Sequence, residues 1–351
     1  MMLQQRLMSI DIGTDRIKIV VGKFSNNRIS IDHAVSVQTP PNAIQDGQVT
    51  DISKLKDIIG SVLREHHIQT KKVVVTLEST SIITRELYLP AVKPKEVLAM
   101  LGYEIQQYFP TTLDEYVIQH KELEIVEEGN LKKIRIAVAA LPKMIVQNYL
   151  ELIKSLGLKP IALDIHSNAI SKLFDENIMI NSKTIQEHQT IALIDIGYAN
   201  INVNIMDKGI PQFNRLLTIG GKDIPDMFNA DLMDMVEKKM GLSHFSDEHG
   251  PLSDLAKDLT KAAIDGWLEE IQRIFKYYTS RNPGNKVDKI LLFGGYSNLD
   301  GIREIMENYF NIPASKIESI GKLRINNRIT NFQLENNLNA IGAIIRRKAS
   351  V

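Results

Sequence analysis

The amino-acid sequence predicts an α/β fold made of two related halves. The tetrapeptide at residues 10–13, Ile-Asp-Ile-Gly, returns half a chain later at residues 194–197. In each copy the glycine is followed by apolar residues at alternate positions, which is the pattern of a half-buried strand. The repeat therefore predicts two related domains, each with an Asp at a strand end and a glycine turn whose backbone N–H groups can approach an anion.

Composition narrows the function classes. A chain of 351 residues with 44% hydrophobic and 24% charged residues suggests two or three ordinary globular domains. The 42 basic and 42 acidic residues balance, so no net charge favours nucleic acid. The absence of cysteine excludes disulfides, thiol catalysis and cysteine-based zinc sites. No signal peptide and no apolar run of roughly 18 residues is found, so we expect a cytoplasmic protein without direct membrane insertion.

The first half opens with a β-β-β-α-β pattern, the beginning of a ribonuclease-H-like domain. The predicted elements are strands over 7–12, 16–23, 28–37 and 73–77 and a helix over 52–66. We assign residues 1–82 and 164–189 to this first domain, with a closing helix at 336–349. Within it, a helix is expected over 164–174 and a polar crossover over 175–189.

Residues 83–163 interrupt this pattern and predict an inserted subdomain. The predicted elements are strands over 83–89, 116–125 and 133–140 and helices over 94–108 and 142–156.

The second half repeats the scheme of the first. Strands are predicted over 190–196, 200–206, 210–218 and 287–293, and a helix over 299–309. We assign residues 190–221 and 281–335 to a second ribonuclease-H-like domain. Residues 222–280 are expected to form a helical subdomain.

Six segments, taken in order, resemble the superfamily of sugar kinases, chaperones and actin. They are IDIGTDRIKIV, LDIHSNAI, LIDIGYANINV, RLLTIGGKDI, ILLFGGYSNLDGI and NAIGAIIR. Members of this superfamily carry two phosphate motifs, an adenosine motif and two connecting helices in that sequence. The resemblance implies an α/β protein with the actin-like ATPase fold.

Further segments narrow the resemblance to the family of the type IV pilus assembly protein PilM, in the FtsA-like branch. They are residues 84–90, 104–110, 139–143, 156–160 and 215–224. The resemblance covers nearly the whole chain and implies that the insertion at 83–163 is of the FtsA type. It also implies ATP or ADP and Mg²⁺ as ligands.

The first phosphate motif centres on Asp11. A carboxylate at this strand end can hold Mg²⁺ directly or through its waters, which makes Asp11 a candidate metal ligand and catalytic residue. Gly13, Thr14 and Asp15 form the turn, in which glycine lets the backbone approach a phosphate and Thr14 adds a hydroxyl. Lys18 is a further phosphate-binding candidate, although its alternation equally suits an exposed strand position.

The second phosphate motif centres on Asp195. The resemblance makes Asp195 the second acid beside Mg²⁺ and the turn of Gly197, Tyr198, Ala199 and Asn200 the second phosphate loop. Tyr198 and Ala199 replace the small hydroxyl residues common there, so the turn offers mainly backbone donors.

The nucleoside would be held by glycines and by a helix in the second half. Glycines after a buried strand let a purine and ribose lie flat against the backbone, which makes Gly294, Gly295 and Tyr296 an adenosine motif. The candidate cofactor-binding residues also include Gly220 and Gly221. Glu237 and Lys238 match the family position beside adenine and ribose.

The position that orients water for hydrolysis departs from the family pattern. Family sequences commonly have Asp-Val-Glu-Pro there, whereas this chain has Asp164-Ile165-His166-Ser167. His166 thus replaces the acid, and a structural histidine is the simpler interpretation of it. We therefore expect nucleotide binding with slow or negligible hydrolysis.

Three function classes remain at this point. The resemblance implies a scaffold of type IV pilus assembly, or related type II secretion, recruited to the inner face of the cytoplasmic membrane. Its partners would be a PilN-like inner-membrane protein, whose N-terminal peptide docks between the first domain and the insertion, and other pilus assembly components; self-association is left open. The alternatives are an FtsA-like cell-division protein, which usually continues into an amphipathic tail, and a small-molecule kinase, whose substrate-binding acid we do not find.

Overall fold

The computed structural model describes most of the chain. The described residues are 6–92, 94–108, 113–129, 131–174, 178–185, 188–224, 251–281, 284–330 and 332–346. The helices within these ranges are α1 (Ile52–Glu65), α2 (Pro94–Tyr108), α3 (Lys143–Ser155), α4 (His166–Ser171), α5 (Pro251–Arg281), α6 (Ile302–Phe310) and α7 (Leu338–Ile344).

The strands fall into two large sheets, one small sheet and two short hairpins. They are β1 (Leu7–Ile12), β2 (Arg16–Ser25), β3 (Arg28–Gln38), β4 (Ile44–Gln45), β5 (Gln48–Val49), β6 (Lys72–Leu77), β7 (Ile83–Pro90), β8 (Tyr116–Glu128), β9 (Leu131–Pro142), β10 (Lys159–Ile165), β11 (Met179–Ile180), β12 (Lys183–Thr184), β13 (Thr190–Ile196), β14 (Ile201–Asp207), β15 (Ile210–Leu217), β16 (Lys289–Phe293), β17 (Ala314–Lys316) and β18 (Leu323–Ile325).

The chain folds into two compact units. Unit 1 draws its residues from Met1–Glu187, Lys208–Pro211 and Glu318–Val351, and unit 2 from His188–Asp207 and Gln212–Ile317. The large sheet of unit 1 has the order β10-β6-β1-β2-β3-β18, and that of unit 2 has the order β15-β14-β13-β16-β17. In unit 1, β1 pairs antiparallel with β2 and parallel with β6. In unit 2, β13 likewise pairs antiparallel with β14 and parallel with β16. Apart from the added β18, the two sheets have the same topology, which confirms the internal repeat predicted from the sequence.

The core of unit 1 lies between its large sheet and two helices. Helix α1 begins after Asp51, whose Oδ1 accepts the N–H of Lys54 at 2.9 Å. Its buried residues Leu55, Ile59 and Val62 recur at helical spacing. They pack with apolar residues of β1, β2, β6 and α3.

Helix α3 and strand β10 belong to this core rather than to the insertion. Tyr149 and Leu152 of α3 are buried against the large sheet, and β10 pairs in parallel with β6. The insertion keeps a separate small sheet with the order β7-β9-β8, on which α2 packs through Val97, Leu101 and Ile105. We therefore propose that the inserted block ends at Pro142 rather than at residue 163; the other domain boundaries remain predictions.

Two helix predictions need correction. The helix expected over 164–174 begins at His166, because Asp164 and Ile165 complete strand β10. The closing helix expected over 336–349 runs only from Leu338 to Ile344 among the described residues.

Helix α5 lies almost entirely within residues 222–280, the region predicted to be a helical subdomain. Its residues Ile264, Trp267 and Ile271 are buried against the sheet of unit 2, so this part of 222–280 belongs to the sheet core. Residues 225–250 lie outside the described ranges. Among the described helices, none combines the length and the apolar character needed to cross a membrane.

Candidate functional site

Asp11 and Lys18 form an ion pair across the first hairpin. The antiparallel register of β1 and β2 places Asp11 directly opposite Lys18. Lys18 Nζ lies 3.2 Å from Asp11 Oδ2, and the Asp11 side chain is only 1% exposed. Lys18 is therefore directed at the candidate acid, rather than outward into solvent as the alternation alone allowed.

His166 is the second partner of Asp11. Strands β10, β6 and β1 lie side by side in parallel, with Asp164 beside Thr76 and Thr76 beside Asp11. Helix α4 begins directly after β10, so its first residue, His166, reaches the same strand ends. His166 Nε2 lies 2.8 Å from Asp11 Oδ1. An ionised carboxylate only accepts hydrogen bonds, so we assign the donor role to Nε2.

The surroundings of Asp11 stabilise its charged form. Burial by itself would raise the pKa of Asp11, but the positive charges of Lys18 and His166 and the hydrogen bonds from both hold the pKa well below its ordinary value. Burial, together with the negative charge of Asp11, raises the pKa of Tyr149, whose hydroxyl donates to the carbonyl of Gly47 at 3.0 Å. Asp11 is therefore a buried carboxylate with both oxygens engaged.

The turn after Asp11 is held by its own backbone and by Thr39. The Gly13 N–H donates to the Arg16 carbonyl at 3.1 Å, and the Thr39 hydroxyl donates to the Gly13 carbonyl at 2.7 Å. The Thr39 N–H donates to the Asp15 carbonyl at 2.8 Å. The N–H groups of Thr14 and Asp15 donate no hydrogen bond to a described residue. They are the turn's available donors for an anion.

The second turn repeats the first. Asp195 is the penultimate residue of strand β13, with Asn202 opposite it on β14 and Phe293 beside it on β16. The Gly197 N–H donates to the Asn200 carbonyl at 3.0 Å, the same bond that Gly13 makes to Arg16. Tyr198 and Ala199 form the tip, and the Tyr198 side chain is exposed.

Gly220 and Gly221 pack onto this second turn. The Gly221 N–H donates to the Gly197 carbonyl at 2.9 Å, and the Lys222 N–H donates to the Tyr198 carbonyl at 2.8 Å. A Cβ on Gly220 would lie 2.7 Å from both of these carbonyl oxygens. Backbone contact with the turn therefore requires glycine at position 220.

The segment 294–296 contacts Asp195 and Gly221 in unit 2. Gly294 has φ +89°, and a Cβ there would lie 2.2 Å from Asp195 Oδ1. Gly295 begins the short 3₁₀ turn Gly295–Asn298, and the Tyr296 ring lies so close to Gly221 that a Cβ there would approach it to 2.1 Å. The rings of Tyr198 and Tyr296 have centroids 6.3 Å apart.

The structure thus gathers the candidate residues of each unit. In unit 1 it brings together Asp11, Lys18 and His166 beside the 13–15 turn. In unit 2 it brings together Asp195, the 197–200 turn, Gly220–Gly221 and the segment 294–296. Glu237 and Lys238 lie outside the described residues.

Sequence reasoning missed several supporting residues. Thr39 contacts the first turn from 26 residues away. Asn202, Asn204 and Asn214 form a hydrogen-bonded amide group beside Asp195, with Asn214 Nδ2 at 2.6 Å from Asn202 Oδ1. The alternation of Asn with Ile and Val in β14 was a signal for Asn202 and Asn204. It does not extend to Thr39 or Asn214.

The residues of unit 1 do not fit a directly coordinated magnesium ion. Mg²⁺ requires oxygen ligands in octahedral geometry, and both oxygens of Asp11 already bind Lys18 and His166. No three His, Cys, Asp or Glu side chains in the described ranges come together in a way that could hold a metal. Contact of Asp11 and Asp195 with Mg²⁺ through water remains a prediction.

Comparison with known families decides the classification. The family described as type IV pilus assembly protein PilM matches residues 9–347. The chain belongs to this family. The family assignment predicted from the ordered motifs is thereby confirmed.

Solved structures give the same fold. The PilM-PilN type IV pilus biogenesis complex contains a chain with a TM-score of 0.76 and 20% identity, and the match covers 97% of this chain and 98% of that one. Ethanolamine utilization protein EutJ from Carboxydothermus hydrogenoformans has a TM-score of 0.52 and 11% identity, and the match covers 97% and 89%. At such identities these likenesses establish the fold alone, the actin-like ATPase fold predicted from the sequence.

Proposed function

We propose that this protein is an ATP- or ADP-binding scaffold of type IV pilus assembly that docks the N-terminal peptide of a PilN-like inner-membrane protein. The observation that carries the pilus role is the family match over residues 9–347. The solved relative of similar fold is a PilM in complex with PilN, which supports a partner of the PilN type. Recruitment to the inner face of the cytoplasmic membrane would follow from that partner.

The nucleotide part of the proposal rests on the two equivalent turns. Each places a glycine after a strand-end Asp, with the same hydrogen bond from its N–H to the carbonyl three residues on. The first turn adds unpaired N–H groups at Thr14 and Asp15, with Lys18 at the strand end. Donors of this kind, aimed at one place by a rigid hairpin, bind phosphate groups well. Both half-sites are proposed to contribute to nucleotide affinity.

Slow hydrolysis follows from the position of His166. A residue that activates water must have an acceptor atom available near the substrate. His166 Nε2 instead lies 2.8 Å from Asp11 Oδ1. The buried carboxylate favours the imidazolium form, in which both ring nitrogens carry protons and neither accepts one. The nucleotide would therefore act as a ligand that stabilises the conformation to which it binds more tightly, and its hydrolysis would not drive the change.

The inserted block is the proposed docking element. Its small sheet leaves β7 as an edge strand, and Tyr88 on that strand is 49% exposed. Large exposed aromatic side chains are typical anchors of protein interfaces. An N-terminal peptide of a PilN-like protein from the same genome, labelled for fluorescence anisotropy, provides the test.

The full chain should bind the peptide, and Tyr88→Ala should weaken binding by about tenfold or more, as for an interface anchor. Tyr309→Ala is the matched control, because Tyr309 is similarly exposed at 42% but lies on α6 of unit 2. Equal binding by a variant in which the insertion is replaced by a short linker would contradict the docking model, whereas nucleotide binding should persist in that variant.

A further inference from the structure

Three basic side chains and two serines occupy one face at the edge of the large sheet of unit 1. In the register of β3 with its neighbours, Ser30 lies between Lys23 of β2 and Arg324 of β18. Arg28 lies two residues before Ser30 and opposite Ser25. Since side chains alternate along a strand and cross-strand pairs share a face, all five project from the same side.

Four of these residues line a cavity. The cavity has a volume of about 460 Å³, and its lining consists of Ser25, Asn26, Arg28, Ser30 and Arg324. No carboxylate contributes to the lining. Arginine offers only donors, and the serine hydroxyls and the asparagine amide can donate as well. The lining is thus suited to an oxyanion.

The two arginines lack the counter-charges that other arginines of the chain have. Arg6 binds Asp32 at 2.8 Å, and Arg303 binds Glu307 at 2.8 Å. The side chains of Arg28 and Arg324 make no ion pair or hydrogen bond with a described residue. Two guanidinium groups lining one concave site repel each other unless an anion lies between them.

The cavity is distinct from the nucleotide half-site of unit 1. Strand β2 starts at Arg16, beside the Gly13 turn, and ends at Ser25, in the cavity. Its ten residues span about 30 Å at about 3.3 Å per residue. A ligand bound in the cavity would therefore be a second ligand.

We propose that this cavity binds a phosphate-bearing ligand through Arg28 and Arg324. Guanidinium groups match phosphate oxygens in paired hydrogen bonds, and the two arginines with Lys23 balance a doubly charged phosphate better than a single carboxylate. The volume exceeds that of a bare ion and falls within the range of small-molecule sites. The phosphate belongs either to a soluble phosphomonoester or to a phospholipid headgroup.

The site is tested by following the arginine side-chain Nε–H signals of the full chain by NMR during titration with glycerol 3-phosphate. The signals assigned to Arg28 and Arg324 should shift with a dissociation constant of about 1 mM or tighter. Arg28→Gln and Arg324→Gln should each weaken binding by tenfold or more, as expected for a charge-assisted pair. Arg328→Gln is the matched control, because it removes the same charge from an exposed residue outside the cavity lining.

Vesicles distinguish the two sources. Flotation with vesicles that contain phosphatidic acid, a phosphomonoester lipid, but not with phosphatidylcholine vesicles identifies a lipid headgroup if it is lost in the Arg28→Gln/Arg324→Gln variant. Binding of glycerol 3-phosphate without flotation identifies a soluble ligand. Absence of both, or an equal loss in Arg328→Gln, would overturn the proposal. Because the signals belong to Arg28 and Arg324 themselves, failure of the nucleotide half-sites would not affect this result.

Discussion

His166 and Asp11 stand 155 residues apart in the chain, yet their side chains are joined by a 2.8 Å hydrogen bond. With Lys18 on the other carboxylate oxygen, the pair forms a small network of one acid and two nitrogen donors. Such a network fixes the direction of each side chain, and it links strand β1 to the start of helix α4. At the proposed nucleotide half-site of unit 1, ligand binding and stability should therefore be coupled.

Replacement of the strand-end acids should weaken nucleotide binding. Asp11→Asn and Asp195→Asn each remove a charge that organises a proposed phosphate site, and the loss of a charge-assisted contact costs about 1.5–3 kcal/mol. We expect ATP affinity measured by calorimetry to fall about 10-fold to 100-fold in each variant. Asp288→Asn is the control, since Asp288 pairs with Lys286 at the start of β16. Unchanged ATP affinity in both variants would contradict the proposed role of Asp11 and Asp195 in nucleotide binding.

The purified protein should hydrolyse ATP slowly, because the ion pair with Asp11 favours the imidazolium form of His166, which has no nitrogen left to accept a proton from water. Phosphate release should be close to background and should not fall further in His166→Ala. The variant His166→Glu would restore the acid that family sequences commonly have at this position. In the structure that carboxylate would lie beside Asp11, where like charges destabilise the fold near neutral pH. Robust hydrolysis that His166→Ala abolishes would make His166 catalytic instead.

Stability should depend on pH through Asp11. Because its folded pKa lies below its ordinary value, the ionised carboxylate contributes stability above that value, and the contribution is lost as the pH falls toward the folded pKa. The difference in unfolding free energy between wild type and Asp11→Asn should therefore be largest above about pH 5 and shrink toward about pH 2. Denaturant unfolding at several pH values measures it. A difference that stayed constant over this range would show that the pKa of Asp11 is the same in the folded and the unfolded protein.

The contact between Gly221 and Tyr296 should not tolerate a methyl group. In Gly221→Ala the new Cβ would meet the ring at 2.1 Å, so either the ring or the 220–221 segment must move. We expect weaker ATP binding and a loss of about 1–3 kcal/mol of stability, as in other overpacked sites. Gly266→Ala on α5 is the control: nothing lies within 4 Å of its Cβ, and a helical glycine replaced by alanine gains about 0.5–1 kcal/mol. If Tyr296→Leu fails to rescue Gly221→Ala, the clash lies elsewhere.

Much of the fold could be predicted because its strands carry clear patterns. Alternating apolar residues in β2 and β14 and short apolar runs in β1 and β13 indicated strands, although the structure buries both faces of β1, β13 and β14. The repeated glycine turns follow from hairpin geometry. Strand β10 was missed because its second residue is Pro160, and proline argues against a strand interior. The end of the insertion proposed here, Pro142, differs from the predicted residue 163 because only tertiary packing shows α3 buried against the large sheet.

The candidate site likewise combines features that local sequence predicts with features that depend on tertiary packing. The pairing of Asp11 with Lys18 follows from a hairpin register that could have been deduced from the turn at residues 13–15. The bond from His166 to Asp11 could not, since it depends on three parallel strands ending at the same level. The contact of Tyr296 with Gly221 likewise depends on packing between segments that are distant in sequence.

The small sheet of the insertion has a consequence for how this family acquired its extra block. Ile83, where the chain enters the insertion, is paired with Ala140, just before the chain leaves it at Pro142. Cα atoms of directly opposed antiparallel residues lie about 4.5–5.5 Å apart. The insertion therefore leaves and re-enters the core at neighbouring positions, as a short loop would. A stretch of this kind can be gained, lost or exchanged in evolution without rearranging the large sheet of unit 1. Grafting the insertion of one family member onto the core of another should transfer partner choice while leaving the host core folded.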